Sequence, residues 1–379
     1  MSDLKEVARQ TVAADRAGLI DVSEQLHADP ETAWHEERSS AAVAAALGPG
    51  FTVEQPYLGL PTAFRAVAGS GARRVGIMAE YDALPGLGHA CGHNLISAIA
   101  VGAGRALAAV AADLDLTVEV YGTPAEEGGG GKIELLERGA FAGLDLAMMA
   151  HPAPVDVAEA QPFAVSHSHI TYTGKAAHAA AYPEQGVNAA DAFTVAQLAI
   201  ALLRQQFPAS VRVHGIVTKG GDAPNVIPDR TEGRWYVRAE TLAELTLVEE
   251  KVRRCFEAGA LATGCELTIE PESAPYSEFR TAQDVLDLYK ANALALGRSF
   301  ADAELGGRMN RASTDFGNVS LTVPAIHPYI GVGSLPAVNH QKEFADHCVG
   351  PVAEQALFDG AVALAWTGID YFAPTKDVS

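Results

Sequence analysis

The chain has 379 residues, 48% of them hydrophobic and 20% charged, which is the composition of an ordinary globular protein. Its length exceeds the size at which a single hydrophobic core keeps growing, so we expect two domains. A formal net charge of -20 at pH 7 argues against nucleic acid and an anionic membrane as partners. An anionic small substrate stays open, because a bound metal and one arginine can reverse the local field.

The cysteines predict a reducing compartment. They are spaced without the pattern of a disulfide framework and are Cys91, Cys255, Cys265 and Cys348. Charged residues near the N-terminus predict that no secretory signal is present, and Arg105 interrupts the longest apolar stretch, over residues 95–110. We therefore expect a cytoplasmic protein without a membrane span.

The first part of the chain predicts a repeated strand, polar turn and helix. Helical periodicity favours helices over residues 3–27, 34–47, 97–113 and 132–138. Apolar runs favour strands over residues 51–53, 63–67, 74–79, 116–121 and 144–150. Acidic residues and a histidine follow three of these strands, as Glu80 and Asp82, Glu126 and Glu127, and His151. Ligands bind beyond the carboxyl ends of strands in open α/β sheets, so we expect a site there.

The pattern changes near residue 165. Strands over 167–174, 211–217, 234–237 and 267–269 and helices over 189–203 and 242–258 give a β-α-β-β-α-β order, which is ferredoxin-like. The helix–loop–strand pattern returns after residue 281. We expect one domain formed by residues 1–165 and 281–379, with a second domain inserted over residues 166–280. The apolar helix face at Phe193, Ala196, Ile200 and Leu203 would pack on its own sheet or form a subunit interface.

A thiol and an imidazole lie two residues apart at Cys91 and His93. Gly88 and Gly92 flank them, and carboxylates lie just upstream. Cysteine, histidine and carboxylate are the ligand types that hold zinc and neighbouring divalent metals. The spacing predicts the first half of a metal site. The alternative is a buried free cysteine beside a hydrogen-bonded histidine.

Adjacent glutamates at Glu126 and Glu127 lie between Pro124 and four glycines at a predicted strand end. In a turn, one carboxylate can bind a metal while the other takes a proton from water. Two adjacent glutamates on a solvated face are the alternative, but the flanking residues favour a catalytic pair.

Several further polar residues are candidates with open alternatives. His151 follows a strand and favours a ligand role, whereas His340 is equally compatible with a structural role. His178 has small neighbours that would let another surface approach, or it is a surface-loop histidine. Arg238 could pair with a substrate carboxylate or lie on a solvated strand face, and Asn225 could line the substrate cleft. Residues 313–317, Ser-Thr-Asp-Phe-Gly, could position a ligand from the main domain, but most simply cap a helix.

The longest motifs resemble a known family. They are Glu-Tyr-Asp-Ala-Leu-Pro-Gly-Leu-Gly-His-Ala-Cys-Gly-His-Asn, Pro-Ala-Glu-Glu-Gly-Gly-Gly-Gly-Lys, His-Pro, Gly-Lys-Ala-Ala-His-Ala and a late Val-Asn-His. In this order they resemble the metal-dependent aminoacylase/carboxypeptidase family, and within it the amidohydrolase branch of auxin-conjugate hydrolases and p-aminobenzoyl-glutamate hydrolase.

This resemblance implies an α/β fold in which an open, mostly parallel, zinc-peptidase-like sheet forms the catalytic domain and the inserted α+β domain serves as lid and dimerisation domain. It implies a homodimer with two divalent metal ions per subunit, Zn²⁺ or Mn²⁺, with Co²⁺ or Ni²⁺ also compatible. The implied metal ligands are Cys91, His93, Glu127, His151 and His340. Glu126 would be the general base, and His178 would be an oxyanion donor from the inserted domain, within its own subunit or across the dimer.

One departure concerns the first motif. Many family members have His-x-Asp where this chain has Glu80-Tyr81-Asp82, and an aspartate where it has Cys91. We therefore expect Asp82 to position the site, whereas Glu80 is a ligand or a carboxylate bonded to loop amides.

The predicted function is that of a metal-dependent amidohydrolase, or aminoacylase, acting on a small N-acyl amino acid or dipeptide-like substrate. Asn225 and Arg238 would bind the substrate. One alternative is a dipeptidase or aminopeptidase with the same site. The other is a non-catalytic binding module that holds metal.

Overall fold

A computed structural model of the protein describes residues 2–302 and 312–373. The chain divides into two compact units, which we call the main unit and the inserted unit. The main unit comprises Met1–Gln161 and Phe279–Ser379, and the inserted unit comprises Pro162–Glu278.

The regular elements are numbered in chain order. The strands are β1 Thr52–Glu54, β2 Phe64–Gly69, β3 Arg73–Ala79, β4 Leu116–Gly122, β5 Leu146–Met148, β6 His151–Ala153, β7 Ala164–Thr173, β8 Arg212–Lys219, β9 Arg230–Ala239, β10 Glu266–Pro271, β11 Ala325–Ile326 and β12 Tyr329–Gly331. The α-helices are α1 Ser2–Ala14, α2 Arg16–Ala28, α3 Glu37–Ala46, α4 His93–Ala108, α5 Gly131–Glu137, α6 Ala189–Leu203, α7 Leu242–Thr263, α8 Gln283–Ala295, α9 Phe316–Ser320, α10 Lys342–Asp346 and α11 Pro351–Phe372.

The main unit is built on a mixed sheet with the strand order β1-β2-β4-β3-β5-β11. Strands β4, β3, β5 and β11 run parallel, and the β1 and β2 pairings are antiparallel. A short parallel pair, β6 with β12, continues beyond β5 and β11. The predicted α/β class with a mostly parallel sheet is therefore confirmed.

Helix α4 lies at the centre of the main unit and is buried on nearly every side. It packs on β3 and β4, and α11 and α1 pack against it. Its alanines and glycines allow this close approach because they leave little side chain between the backbones. Within the described ranges, no helix combines the length and the apolar character needed to cross a bilayer.

The inserted unit has an antiparallel sheet in the order β10-β7-β9-β8, with α6 and α7 packed together beside it. The side chain of Thr241 accepts a hydrogen bond from the Glu244 N–H at the start of α7, and left-handed Gly264 ends that helix. Phe193, Ala196 and Ile200 are buried in the core of this unit, so this face of α6 packs on its own sheet.

Some predicted boundaries are wrong, for local reasons. Helix α3 begins at Glu37 rather than residue 34, because Trp34 has a left-handed φ of 67°. Helix α4 begins at His93 rather than residue 97, directly after left-handed Gly92. The strand predicted over residues 144–150 is shorter, because β5 spans only Leu146–Met148 and a separate strand, β6, begins at His151.

Candidate active site

Three parallel strands deliver polar side chains to one edge of the main sheet. Glu80 and Asp82 follow β3, Glu126 and Glu127 follow β4, and His151 opens β6 just after β5. Because β3 pairs with both β4 and β5 in parallel, these strand ends are neighbours. The structure thus brings together the acidic residues and the histidine that the strand pattern predicted beyond the sheet.

Cys91 and His93 reach the same edge through a tight turn into α4. Gly92 has a φ of 82°, and a Cβ atom there would lie 2.8 Å from the Pro152 side chain. Only glycine fits this close approach, which packs the turn against the segment carrying His151. Both Cys91 and His93 are buried as a result.

The distances between these side chains are short. The Cys91 Sγ lies 3.5 Å from His151 Nε2, and His93 Nε2 lies 3.8 Å from carboxylate oxygens of both Glu126 and Glu127. His340 Nε2, from the late loop, lies 3.4 Å from Glu127 Oε1.

Within residues 2–302 and 312–373, three sets of side chains have potential ligand atoms within 4.8 Å of one another. They are Cys91, His93 and His151; Cys91, Glu127 and His340; and Glu80, His93 and Glu126. Cys91 belongs to two of these sets.

Hydrogen bonds fix the orientation of these groups. Asp82 contacts His93 Nδ1 at 3.1 Å through one oxygen and accepts the Glu127 N–H at 2.9 Å through the other. His151 Nδ1 lies 2.8 Å from the Pro152 carbonyl, which leaves Nε2 directed at Cys91. The His340 N–H donates to the Ala90 carbonyl at 2.8 Å and so ties the late loop to the cysteine turn.

The site is strongly charged. Burial alone would raise the pKa of the Cys91 thiol, but the imidazoles of His151, His340 and His93 hold it well below its usual value. Burial and the carboxylates of Glu80 and Glu127 raise the pKa of Glu126 well above its ordinary value. Burial and Cys91 raise the pKa of Glu127 to about 7. The cluster therefore concentrates negative charge that favours cations.

The turn that carries the two glutamates is strained and compact. Ala125 has a left-handed φ of 57°, which is uncommon for a residue with a Cβ atom. The Gly130 N–H donates to the Ala125 carbonyl, and a Cβ atom on Gly131 would lie 1.9 Å from the Pro124 carbonyl oxygen. The glycines after Glu127 thus let the chain double back sharply into α5.

A buried ion cluster was missed by the sequence analysis. The Lys132 ammonium lies 2.5 Å from Glu80 Oε1 and 2.6 Å from Asp315 Oδ1, and none of the three side chains is exposed. Of the two alternatives for Glu80, the structure shows no bond to a loop amide among the described residues. Its carboxylate pairs with this lysine and also lies in one of the three potential ligand sets. Residues 313–317 do serve helix starts: the Asp315 carboxylate accepts the Lys132 N–H in the first turn of α5, and the Thr314 hydroxyl accepts the Phe316 N–H at the start of α9. The sequence feature that could have indicated this cluster is a lysine directly after four glycines.

The other predicted residues lie in the inserted unit. His178 and Asn225 are exposed neighbours, since the Ala179 N–H donates to the Asn225 carbonyl and His178 bridges to Val226. Arg238 lies near the end of β9, half-buried, and burial lowers its pKa. Arg238 also lowers the pKa values of His167 and His214, after the larger effect of burial, so a positive field acts on this part of the sheet.

Strand-end carboxylates, two buried imidazoles and a thiolate on an open α/β sheet define a metallohydrolase. The model of peptidase family M20/M25/M40 matches residues 76–362, which is most of the chain. The chain belongs to this family, and the resemblance seen in its motifs is confirmed.

Known relatives of this chain are named as enzymes that hydrolyse amide bonds. Xaa-Arg dipeptidase of Mus musculus is 43% identical over 376 residues, covering 94% of this chain and 86% of the relative. One of the subunits of p-aminobenzoyl-glutamate hydrolase from Escherichia coli is 32% identical over 292 residues, covering 71% and 60%. A solved dinuclear metal-binding M20 peptidase from Bacillus subtilis has a TM-score of 0.64 at 23% identity, covering 92% of this chain and 98% of its own. The chain is therefore an enzyme that hydrolyses amide bonds of peptide-like compounds.

Proposed function

We propose that the enzyme holds two divalent cations, one in the set of Cys91, His93 and His151 and one in the set of Cys91, Glu127 and His340. The single observation that carries this proposal is the convergence of these five side chains around a shared cysteine, beside a further glutamate. The Bacillus subtilis neighbour, described as dinuclear, supports it.

The donor atoms of these five side chains are suited to divalent cations. His93 Nε2 is buried and makes no hydrogen bond to any residue that the structure describes, although its Nδ1 is held by Asp82. A histidine fixed at one nitrogen by a carboxylate, with the other nitrogen facing thiolate and carboxylates, has the usual arrangement of a metal ligand. The mixed sulfur, nitrogen and oxygen set is compatible with Zn²⁺ or Mn²⁺, and also with Co²⁺ or Ni²⁺.

In the proposed mechanism Glu126 is the general base. When bound, the metal supplies Lewis acidity, which lowers the pKa of water toward about 7 and polarises a carbonyl. The Glu126 carboxylate takes a proton from the attacking water and delivers it to the nitrogen of the leaving amine as the C–N bond breaks. Burial and neighbouring carboxylates raise its pKa, so its carboxylate is a stronger base toward that water than an ordinary glutamate.

His178 would stabilise the oxyanion of the reacting carbonyl. Its Nδ1 faces the N–H groups of Ala180 at 3.3 Å and Ala181 at 3.1 Å. Because Nδ1 accepts hydrogen bonds there, the neutral ring carries its proton on Nε2, which becomes the donor. This tautomer is the one that an oxyanion requires.

The substrate we propose is a dipeptide with a basic C-terminal residue. The mouse relative, at 43% identity over 94% of this chain, is named for dipeptides ending in arginine. A net charge of -20 favours a cationic side chain. Arg238 would pair with the free carboxylate, and Asn225 would contact the peptide group. An N-acyl amino acid or aryl-glutamate is the second candidate, supported by the Escherichia coli relative.

We also propose a cytoplasmic homodimer that associates through the inserted unit. Strand β8 lies at an edge of its sheet, and Ile216 on it is 63% exposed. Leu198 and Leu202 on α6 are 62% and 66% exposed, an apolar surface suited to a subunit interface. The four free cysteines agree with a reducing compartment.

A hydrolysis screen with mass-spectrometric detection tests the assignment. Dipeptides ending in arginine or lysine, neutral dipeptides, N-acyl amino acids, aryl-glutamates and auxin conjugates are incubated with enzyme reloaded with each metal. We expect turnover that a chelator abolishes and that Glu126→Gln reduces by roughly 10³-fold or more. Glu134→Gln, at an exposed glutamate paired with Arg138, is the matched control and should keep full activity. Metal binding without hydrolysis across the whole panel would instead favour a binding module.

A further inference from the structure

The turn that carries Glu126 is held from two sides. On its C-terminal side, Asp82 accepts the Glu127 N–H. On its N-terminal side lies Ala125, whose left-handed conformation is disfavoured for a residue with a Cβ atom. A strained residue directly before the proposed base needs a contact that holds it, and the structure provides one from a distant part of the sequence.

That contact is Glu36, whose side chain is completely buried. Its Oε1 accepts the Ala125 N–H at 2.9 Å and the Trp34 N–H at 2.9 Å. Glu36 stands at the N-cap position of α3, where a carboxylate commonly accepts an N–H of its own helix, but it makes no such bond. Its side chain instead reaches across to the catalytic turn, 89 residues away in sequence.

The segment around Glu36 contacts both loops that build the site. The Glu31 carbonyl accepts the Ala83 N–H at 2.7 Å, next to Asp82. The Trp34 indole covers the glycine-rich loop so closely that a Cβ atom on Gly129 would lie 2.3 Å from its Nε1. Residues 31–36 thus connect the Asp82 loop to the Glu126 turn, and the Glu36 carboxylate makes the contact closest to Glu126.

We propose that Glu36 is a positioning residue for Glu126, which it orients by holding the Ala125 N–H and with it the left-handed turn. This role rests on the proposed function of Glu126 as the general base. Glu36 itself does not touch the reacting atoms. Without its acceptor, the turn can relax at Ala125 and carry the Glu126 carboxylate away from its working position.

Three substitutions of Glu36 distinguish an effect on the position of Glu126 from an effect on the stability of the fold. Glu36→Met keeps the size of the side chain but removes the acceptor, and we expect kcat to fall roughly 10- to 100-fold with KM and bound metal little changed. Glu36→Gln keeps an acceptor oxygen and should restore kcat to within about threefold of wild type. Should the methionine variant fail to fold, Glu36→Asp, which shortens the reach by one methylene, should still lower kcat at least about fivefold.

Glu31 is the matched control, because Glu31→Met keeps the backbone carbonyl that accepts the Ala83 N–H. It changes only a buried side chain that accepts hydrogen bonds from the Ser39 N–H and hydroxyl, away from the turn. Glu31→Met should lower the melting temperature but leave kcat near wild type. Ala125→Gly, in which left-handed backbone is unstrained, should recover part of the activity lost in Glu36→Met.

Equal loss of kcat in the Glu31 and Glu36 methionine variants, or a glutamine variant no better than methionine, would overturn the positioning role. So would unchanged kcat in the aspartate variant. If Glu126→Gln retained full turnover, the base assignment itself would fail. If Glu126→Gln were inactive but Glu36→Met kept wild-type kcat, the positioning role would be refuted and the base assignment would stand.

Discussion

Replacing Lys132 with methionine removes the ammonium that pairs with two carboxylates in a fully buried ion cluster. Lys132 lies 2.5 Å from Glu80 and 2.6 Å from Asp315, and none of the three side chains is exposed. With an effective dielectric constant of about 20, Coulomb's law gives each contact a gross attraction of roughly 6 kcal/mol. Desolvation of three buried charges cancels most of it, at several kcal/mol per ion.

The free energy of unfolding falls by more than this net balance indicates, because two carboxylates stay buried without their cation. Breaking a buried pair in this way typically costs about 3–5 kcal/mol. At about 2 °C per kcal/mol for a domain of this size, the melting temperature should fall by roughly 6–10 °C. The backbone N–H of residue 132, which donates to Asp315 at 2.8 Å, is kept in the variant, so only the ammonium contacts are lost.

Urea denaturation of the metal-loaded enzyme measures the change, and hydrogen exchange of peptides from β3 and β4 reports on the main unit alone. Lys290→Met is the control, because Lys290 forms an exposed pair with Asp287 on α8 and should change stability by no more than about 0.5 kcal/mol. A loss below about 1 kcal/mol for Lys132→Met would refute the assignment of Lys132 as the cation that compensates Glu80 and Asp315.

Two further results are expected. His178→Ala should lower kcat by roughly 10²- to 10³-fold and leave the metal content unchanged, and parallel loss of both would contradict an oxyanion role. Burial, followed by Arg238, lowers the pKa of His167 to about 4, with Glu272 acting in the opposite direction. Because the folded state disfavours its protonated ring, stability should fall as pH drops from about 6.5 toward 4, by about 1–2 kcal/mol at pH 5. His167→Gln should flatten this dependence in denaturation measured at pH 7.5 and 5, and an unchanged slope would exclude His167 as its source.

The sequence alone was sufficient for the parts of the site that follow strands. Glu126, Glu127 and His151 could be placed together because the ends of neighbouring parallel strands meet at one sheet edge. Cys91 and His93 joined them because a short turn between a strand and a helix has little freedom. His340 was undecided from its loop. Tertiary contacts hold that loop at the site, from the His340 N–H to the Ala90 carbonyl and from the Asn339 amide to the Pro152 carbonyl.

Tertiary structure decided the contacts that span long stretches of sequence. Lys132 and Asp315 are 183 residues apart, and each in isolation fits a solvated loop or a helix end. Glu36 is 89 residues from Ala125 and stands where a helix cap is the simpler expectation. Periodicity and turn residues are local signals that specify elements and their ends. Partners of buried charges depend on how those elements pack, because burial is what makes an unpaired carboxylate or ammonium unfavourable.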